Sequence, residues 1–137
     1  MIGCTTLEPA AEPAPALAPA AAPAPPGPSS FGAYLEITPD NRVWIVTPQS
    51  EMGQGVHDGL PRIVAEELDA DWSLVNVRMP WADDRFINPL TKRHRTANSE
   101  STMVYFDLLR RAGAAARQML VEAAAARWQL PATELLA

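Results

Sequence analysis

An α+β domain, a small sheet of about three strands covered by two helices, is what the sequence predicts between residues 31 and 137. Three observations carry that expectation. Alternating or β-branched runs at 33–38, 43–47 and 74–79 read as strands. Apolar residues return at helical spacing through 58–68. An alanine-rich stretch from 101 to 128 meets no proline until Pro131.

In chain order, Leu35 and Ile37 share one face of the first strand, and Pro39-Asp40-Asn41-Arg42 supplies the chemistry of a tight turn. Val43 to Thr47, which includes Trp44, follows as the second arm of a hairpin. After a loop from Pro48 to Gly55 comes a helix over 58–68, with Asp58 as its cap and Pro61 near its start. Leu60, Ile63, Val64 and Leu68 form its apolar face. Val75 and Val77 point to one side of the third strand. Residues 80–98 lack periodicity, and a loop of that length in a small domain is usually functional or marks an incomplete assignment of elements. In the long helix, Met103, Phe106, Leu109, Ala116, Leu120 and Ala123 or Ala124 trace the expected buried stripe.

The chain of 137 residues divides into a tether, 1–30, and a folded part, 31–137. Residues 8–30 are almost wholly Ala and Pro, a composition that is stiff, extended and unable to bury a core. Met1-Ile2-Gly3-Cys4 is compatible with the tail of a lipoprotein signal, with Cys4 lipidated, and equally with a chance sequence. No segment approaches the roughly 18 apolar residues of a membrane span. The net charge of -5 gives no general attraction to nucleic acid. The basic run Lys92-Arg93-His94-Arg95 is a solvated loop or a local phosphate contact. A single cysteine excludes a disulfide within the chain, and His57 and His94 have no neighbours at ligand spacing, so no metal ligand set is expected from these side chains.

Two loops carry the candidate chemistry. Glu51-Met52-Gly53-Gln54-Gly55 lies between a strand and a helix, where glycines let backbone N–H groups approach an anion and Gln54 adds an amide. Taken alone, a Gly-x-Gly is as compatible with a structural turn. Thr96-Ala97-Asn98-Ser99-Glu100-Ser101-Thr102 precedes the long helix with four hydroxyls and an amide, more than a simple cap requires. A carboxylate at Glu100 opposes phosphate there but favours the helix dipole. Asp83 and Asp84 diverge as neighbouring side chains and read as solvated. Nothing resembles a nucleophile with its base, so no catalytic residue is expected in this stretch.

From Ser50 to Trp128 the sequence resembles the xanthine dehydrogenase/aldehyde oxidase family, in particular the large subunit of the isoquinoline 1-oxidoreductase type. The resemblance rests on Ser50-Glu51-Met52-Gly53-Gln54-Gly55-Val56-His57, then Val64 to Trp72, Asn88-Pro89, Thr96 to Thr102, and Leu108 to Leu120, in that order and spacing. It implies an N-terminal part of a larger molybdopterin-binding domain. It further implies that Met52, Gly53, Gln54 and Gly55, with Thr96, Ala97, Asn98, Ser99 and Ser101, bind molybdenum–molybdopterin cytosine dinucleotide. The complete subunit would then hydroxylate N-heteroaromatics or oxidise aldehydes with water as the oxygen source. Its electrons would pass to a small [2Fe–2S] subunit and often on to a cytochrome c. The resemblance also implies a periplasmic location, with Met1-Ile2-Gly3 as the remainder of an export signal, a second account of the N-terminus beside the lipoprotein reading. Where relatives carry Gly-Ser or Gly-Gly in the second loop, this chain has Asn98-Ser99-Glu100. The glutamate that serves as base in the family has no counterpart here, and neither Glu51 nor Glu100 fills that role. A different class of function would be a stand-alone exported or lipid-anchored scaffold of the same fold, without catalysis.

Overall fold

The computed structural model describes Gly27 and residues 29–135. The readings of Cys4 and of most of the Ala/Pro stretch concern residues outside that range. The described elements run β1 (Ser29–Ser30), β2 (Leu35–Ile37), β3 (Val43–Val46), α1 (Val56–Leu68), β4 (Val75–Arg78) and α2 (Ser101–Trp128). Short 3-10 turns span Trp72–Leu74, Asp84–Phe86 and Ala132–Glu134. The α+β class is the one the sequence predicts, with one strand more than expected. That extra strand, Ser29–Ser30, pairs with Ile37 and Glu36 through the backbone alone, so its side chains give no pattern to read.

The sheet order is β1-β2-β3-β4, antiparallel across the first two pairs and parallel between β3 and β4. The hairpin closes where expected, with the Asn41 N–H donating to the Thr38 carbonyl at 2.9 Å. Asn41 takes a left-handed φ of 63°, which its short amide side chain tolerates. Helix α1 then carries the chain back so that β4 can run parallel to β3. Registers place Leu35 opposite Ile45, Ile37 opposite Val43, Val43 opposite Val75 and Ile45 opposite Val77, so these apolar side chains share one face. Helix α1 covers that face with Val56, Leu60, Val64, Ala65 and Leu68, and α2 closes the core with Tyr105, Leu109 and Ala116.

Three helix expectations need correction. Helix α1 begins at Val56, so Pro61 lies inside it rather than in its first turn, and Asp58 forms an ion pair with Arg62 at 2.9 Å instead of capping. The buried stripe of α2 runs through Tyr105, Leu109, Gly113 and Ala116. Met103, Phe106 and Leu120 are exposed, as is Ala123, while Ala124 is half-buried. Tyr105 takes the place expected for an apolar residue because its hydroxyl reaches the Phe86 carbonyl at 3.4 Å, which lets the ring enter the core. Burial pushes that phenol up to about 12. At Gly113 an added Cβ would stand 2.6 Å from the Val64 carbonyl oxygen, so this glycine allows α2 to lie directly on α1.

The long loop after β4 is organised by side chains. Asp83 accepts from the Arg85 N–H to start the 3-10 turn, and the buried Asn88 accepts from the Leu90 and Thr91 N–H groups. Thus an aperiodic sequence still has an ordered path back to the sheet, and it delivers residues 95–101 beside the end of β3.

Candidate functional site

The glycine loop leaves β3 at Thr47 and enters α1 at Val56. Gly53 and Gly55 have φ of 95° and 77°, a region that L side chains rarely adopt, and this geometry turns successive N–H groups inward. The groups are not left open. The Glu51 carboxylate accepts from Gly53 N at 2.8 Å and Gly55 N at 3.0 Å through Oε1, and from His57 N at 2.9 Å through Oε2. The N–H groups of His57 and Gly55 hold its carboxyl at about 2. Gln54 folds over the same loop: its Nε2 donates to the Ser50 carbonyl at 2.7 Å and its Oε1 accepts from Met52 N. The expectation that this loop presents free N–H groups to an external anion is therefore corrected, because its own carboxylate has taken them.

The second loop is different. Asn98 and Ser99 take consecutive left-handed φ values of 59° and 55°, and Glu100 N donates to the Ala97 carbonyl at 3.3 Å, the features of a type I′ turn. Two such conformations outside glycine cost about 1 kcal/mol or more for each residue that is not Asn. Helix α2 then begins without a side-chain cap at Glu100. The hydroxyls expected to cap it go elsewhere: Ser101 Oγ donates to Gln49 Oε1 at 2.8 Å, and Thr96 Oγ1 accepts from Ser50 N at 2.9 Å. Asn98 Nδ2 donates to Glu100 Oε1 at 3.2 Å, which occupies one oxygen of the carboxylate that would oppose an anion.

Beside the Ser50–Thr96 bond, the loops are joined by Gln49, a residue the motif reading passes over. It is 2% exposed, donates from Nε2 to the carbonyls of Pro48 and Arg95, and accepts from Ser101. A buried polar side chain just before a glycine-rich loop was the available signal, but burial is invisible in a single sequence. The result is an open depression of about 320 Å³ walled by Met52 and Gln54 on one side and by Thr96, Ala97, Asn98, Ser99 and Ser101 on the other. Seven of the nine residues expected to bind cofactor thus meet around one space; Gly53 and Gly55 shape the loop behind it. A larger groove of about 670 Å³ lies across the sheet, lined by Leu35, Val46, Arg78, Trp81 and Phe86 among others. The basic run stays on the surface, with His94 Nε2 3.8 Å from Asp84 Oδ1.

The hydroxyls, the amides and the uncapped start of α2 around the smaller depression suit the anionic part of a nucleotide-bearing cofactor. Comparison with known proteins points the same way. The chain is 49% identical over 108 residues to the isoquinoline 1-oxidoreductase subunit beta of Brevundimonas diminuta, a match covering 77% of this chain and 14% of that protein. It is 35% identical over 99 residues to the membrane-bound aldehyde dehydrogenase [pyrroloquinoline-quinone] of Gluconacetobacter polyoxogenes, covering 71% of this chain and 12% of that protein. The chain therefore spans only a small part of the length of these curated relatives. The sequence profile of the molybdopterin cofactor-binding domain matches residues 12–137, and the chain belongs to that family.

Proposed function

We propose that this chain forms part of the cofactor cradle of a molybdenum hydroxylase large subunit. In this reading Met52, Gln54, Thr96, Ala97, Asn98, Ser99 and Ser101 line the site for molybdopterin cytosine dinucleotide, and Gly53 and Gly55 shape the loop that presents Met52 and Gln54. The observation that carries it is the depression at the uncapped start of α2, where two loops far apart in sequence are tied together by Gln49. The Thr96 and Ser99 hydroxyls and the helix N–H groups receive the anionic part of the dinucleotide, and Met52 and Gln54 close the opposite wall. When bound, the molybdenum centre supplies a two-electron oxidation, of an aldehyde or of an aromatic N-heterocycle, with water as the oxygen source. A small [2Fe–2S] subunit would be the partner that accepts the electrons, with a cytochrome c as a further acceptor. Export to the periplasm belongs to the same proposal and is supported by the Ala/Pro-rich stretch. Among the described residues no helix is long and apolar enough to cross a membrane.

The test is Gln54→Ala in the full-length protein. Molybdenum per subunit, measured by elemental analysis, falls several-fold, while the melting temperature moves by only a few degrees. Unchanged molybdenum content would remove Gln54 from the cradle.

A further inference from the structure

We infer that Glu51 is a positioning residue, a built-in anion that occupies the N–H nest of the glycine loop and closes it to an external phosphate. The inference deepens the cradle reading and rests on it in one respect: the anionic groups of the dinucleotide then fall to the Thr96–Ser101 side of the depression.

The argument is one of saturation. Two left-handed glycines and the first turn of α1 gather three N–H groups, the arrangement that elsewhere binds phosphate. Here both oxygens of one carboxylate, from the residue that opens the loop, satisfy all three at 2.8–3.0 Å. The loop N–H of Met52 is taken as well, by Gln54 Oε1 at 2.6 Å. An arriving phosphate would have to displace a carboxylate tethered to the same loop, whose effective concentration is high. At α2 the start has no side-chain cap, and the carboxylate there, Glu100, accepts from Asn98 Nδ2 rather than from the helix N–H groups. The other titratable group beside Glu51 is His57, whose ring Nε2 lies 2.8 Å from the Gln49 carbonyl. The nest is thereby joined to the residue that ties both loops. Glu51 thus fixes the path of Met52 and Gln54, the two side chains that wall the depression.

Chemical rescue tests this. Full-length Glu51→Ala is melted against increasing sodium formate, with sodium chloride at equal ionic strength as control. The variant melts several degrees below the wild type and recovers most of that loss in formate, as a ligand entering a vacated site stabilises the folded state, while the wild type does not respond. Equal responses of the two proteins would overturn the inference. Should Glu51→Ala fail to accumulate, a crystal structure of the loaded wild-type protein decides. A Glu51 carboxylate still bound by Gly53, Gly55 and His57 upholds the inference, and a phosphate oxygen at those N–H groups with Glu51 swung away overturns it. A dinucleotide lying far from both loops would instead sink the cradle reading, and the formate experiment would still report on Glu51.

Discussion

At the scale of single residues, Gln49 and Glu51 do for this site what the glycines and hydroxyls are usually credited with. Replacing Gln49 by alanine leaves the Ser101 hydroxyl and the Arg95 carbonyl without their partner at a buried position. A lost buried hydrogen-bonding partner costs about 1–3 kcal/mol. The variant is expected to melt correspondingly lower in thermal denaturation and to lose cofactor along with stability, in contrast to Gln54→Ala. Glu51 gives a pH signature. Its folded-state value of about 2 lies below the ordinary 4.5, so its contribution to stability is fully present above pH 4.5 and is lost as pH falls towards 2. Asp40, Asp58, Asp71 and Asp83 are also lowered and act in the same acid range. The measurement is therefore the difference between wild type and Glu51→Gln, which should shrink as the pH is lowered through that window. The motif residues were legible because glycine, amide and hydroxyl types advertise anion chemistry. The role of Glu51 was not, since a carboxylate in a loop shows its partner only once the backbone has curled around it.

At the scale of elements, α2 lies directly on α1 at Gly113. Gly113→Ala would raise the intrinsic helix propensity of α2 by about 1 kcal/mol. The new Cβ would nevertheless stand 2.6 Å from the Val64 carbonyl oxygen and 2.9 Å from Glu67 Cβ, and a backbone oxygen cannot move aside as a flexible side chain can. Overpacking of this kind costs about 1–3 kcal/mol, so the net expectation is a lower urea midpoint, with the Arg110–Glu67 ion pair across the same seam disturbed. Gly113→Ala raising the midpoint would show that the helices are free to separate. The existence of both helices was readable from periodicity and alanine content, but the rotation of α2 was not. Apolar Met103 and Phe106 stay 69% and 43% exposed, and amphipathic Tyr105 goes inside because a carbonyl waits for its hydroxyl.

At the scale of the whole molecule, α2 leaves Met103, Phe106, Met119 and Trp128 exposed, and Trp81 is 90% exposed beside the sheet groove. Apolar surface of this extent on a small domain favours association. The 137-residue chain by itself should bind a hydrophobic dye, scatter light as concentration rises and unfold in urea without a steep single transition. A sharp monomeric transition would instead favour the stand-alone scaffold reading over that of a cradle completed by further structure.

Sequence alone determined what depends on neighbours in the chain: the hairpin with its Pro39–Arg42 turn, the two helices, the β-β-α-β-α order, and the two loops whose residue types suit an anionic cofactor. Those features follow from backbone preferences and from hydrophobic period, which are local. Tertiary structure decided the pairing of Ser29–Ser30, the face that α2 buries, the bridge that Gln49 makes between loops, and the capture of the glycine-loop N–H groups by Glu51. Each of these is set by which groups meet after the chain has folded, and by the need of every buried donor and acceptor to find a partner away from water.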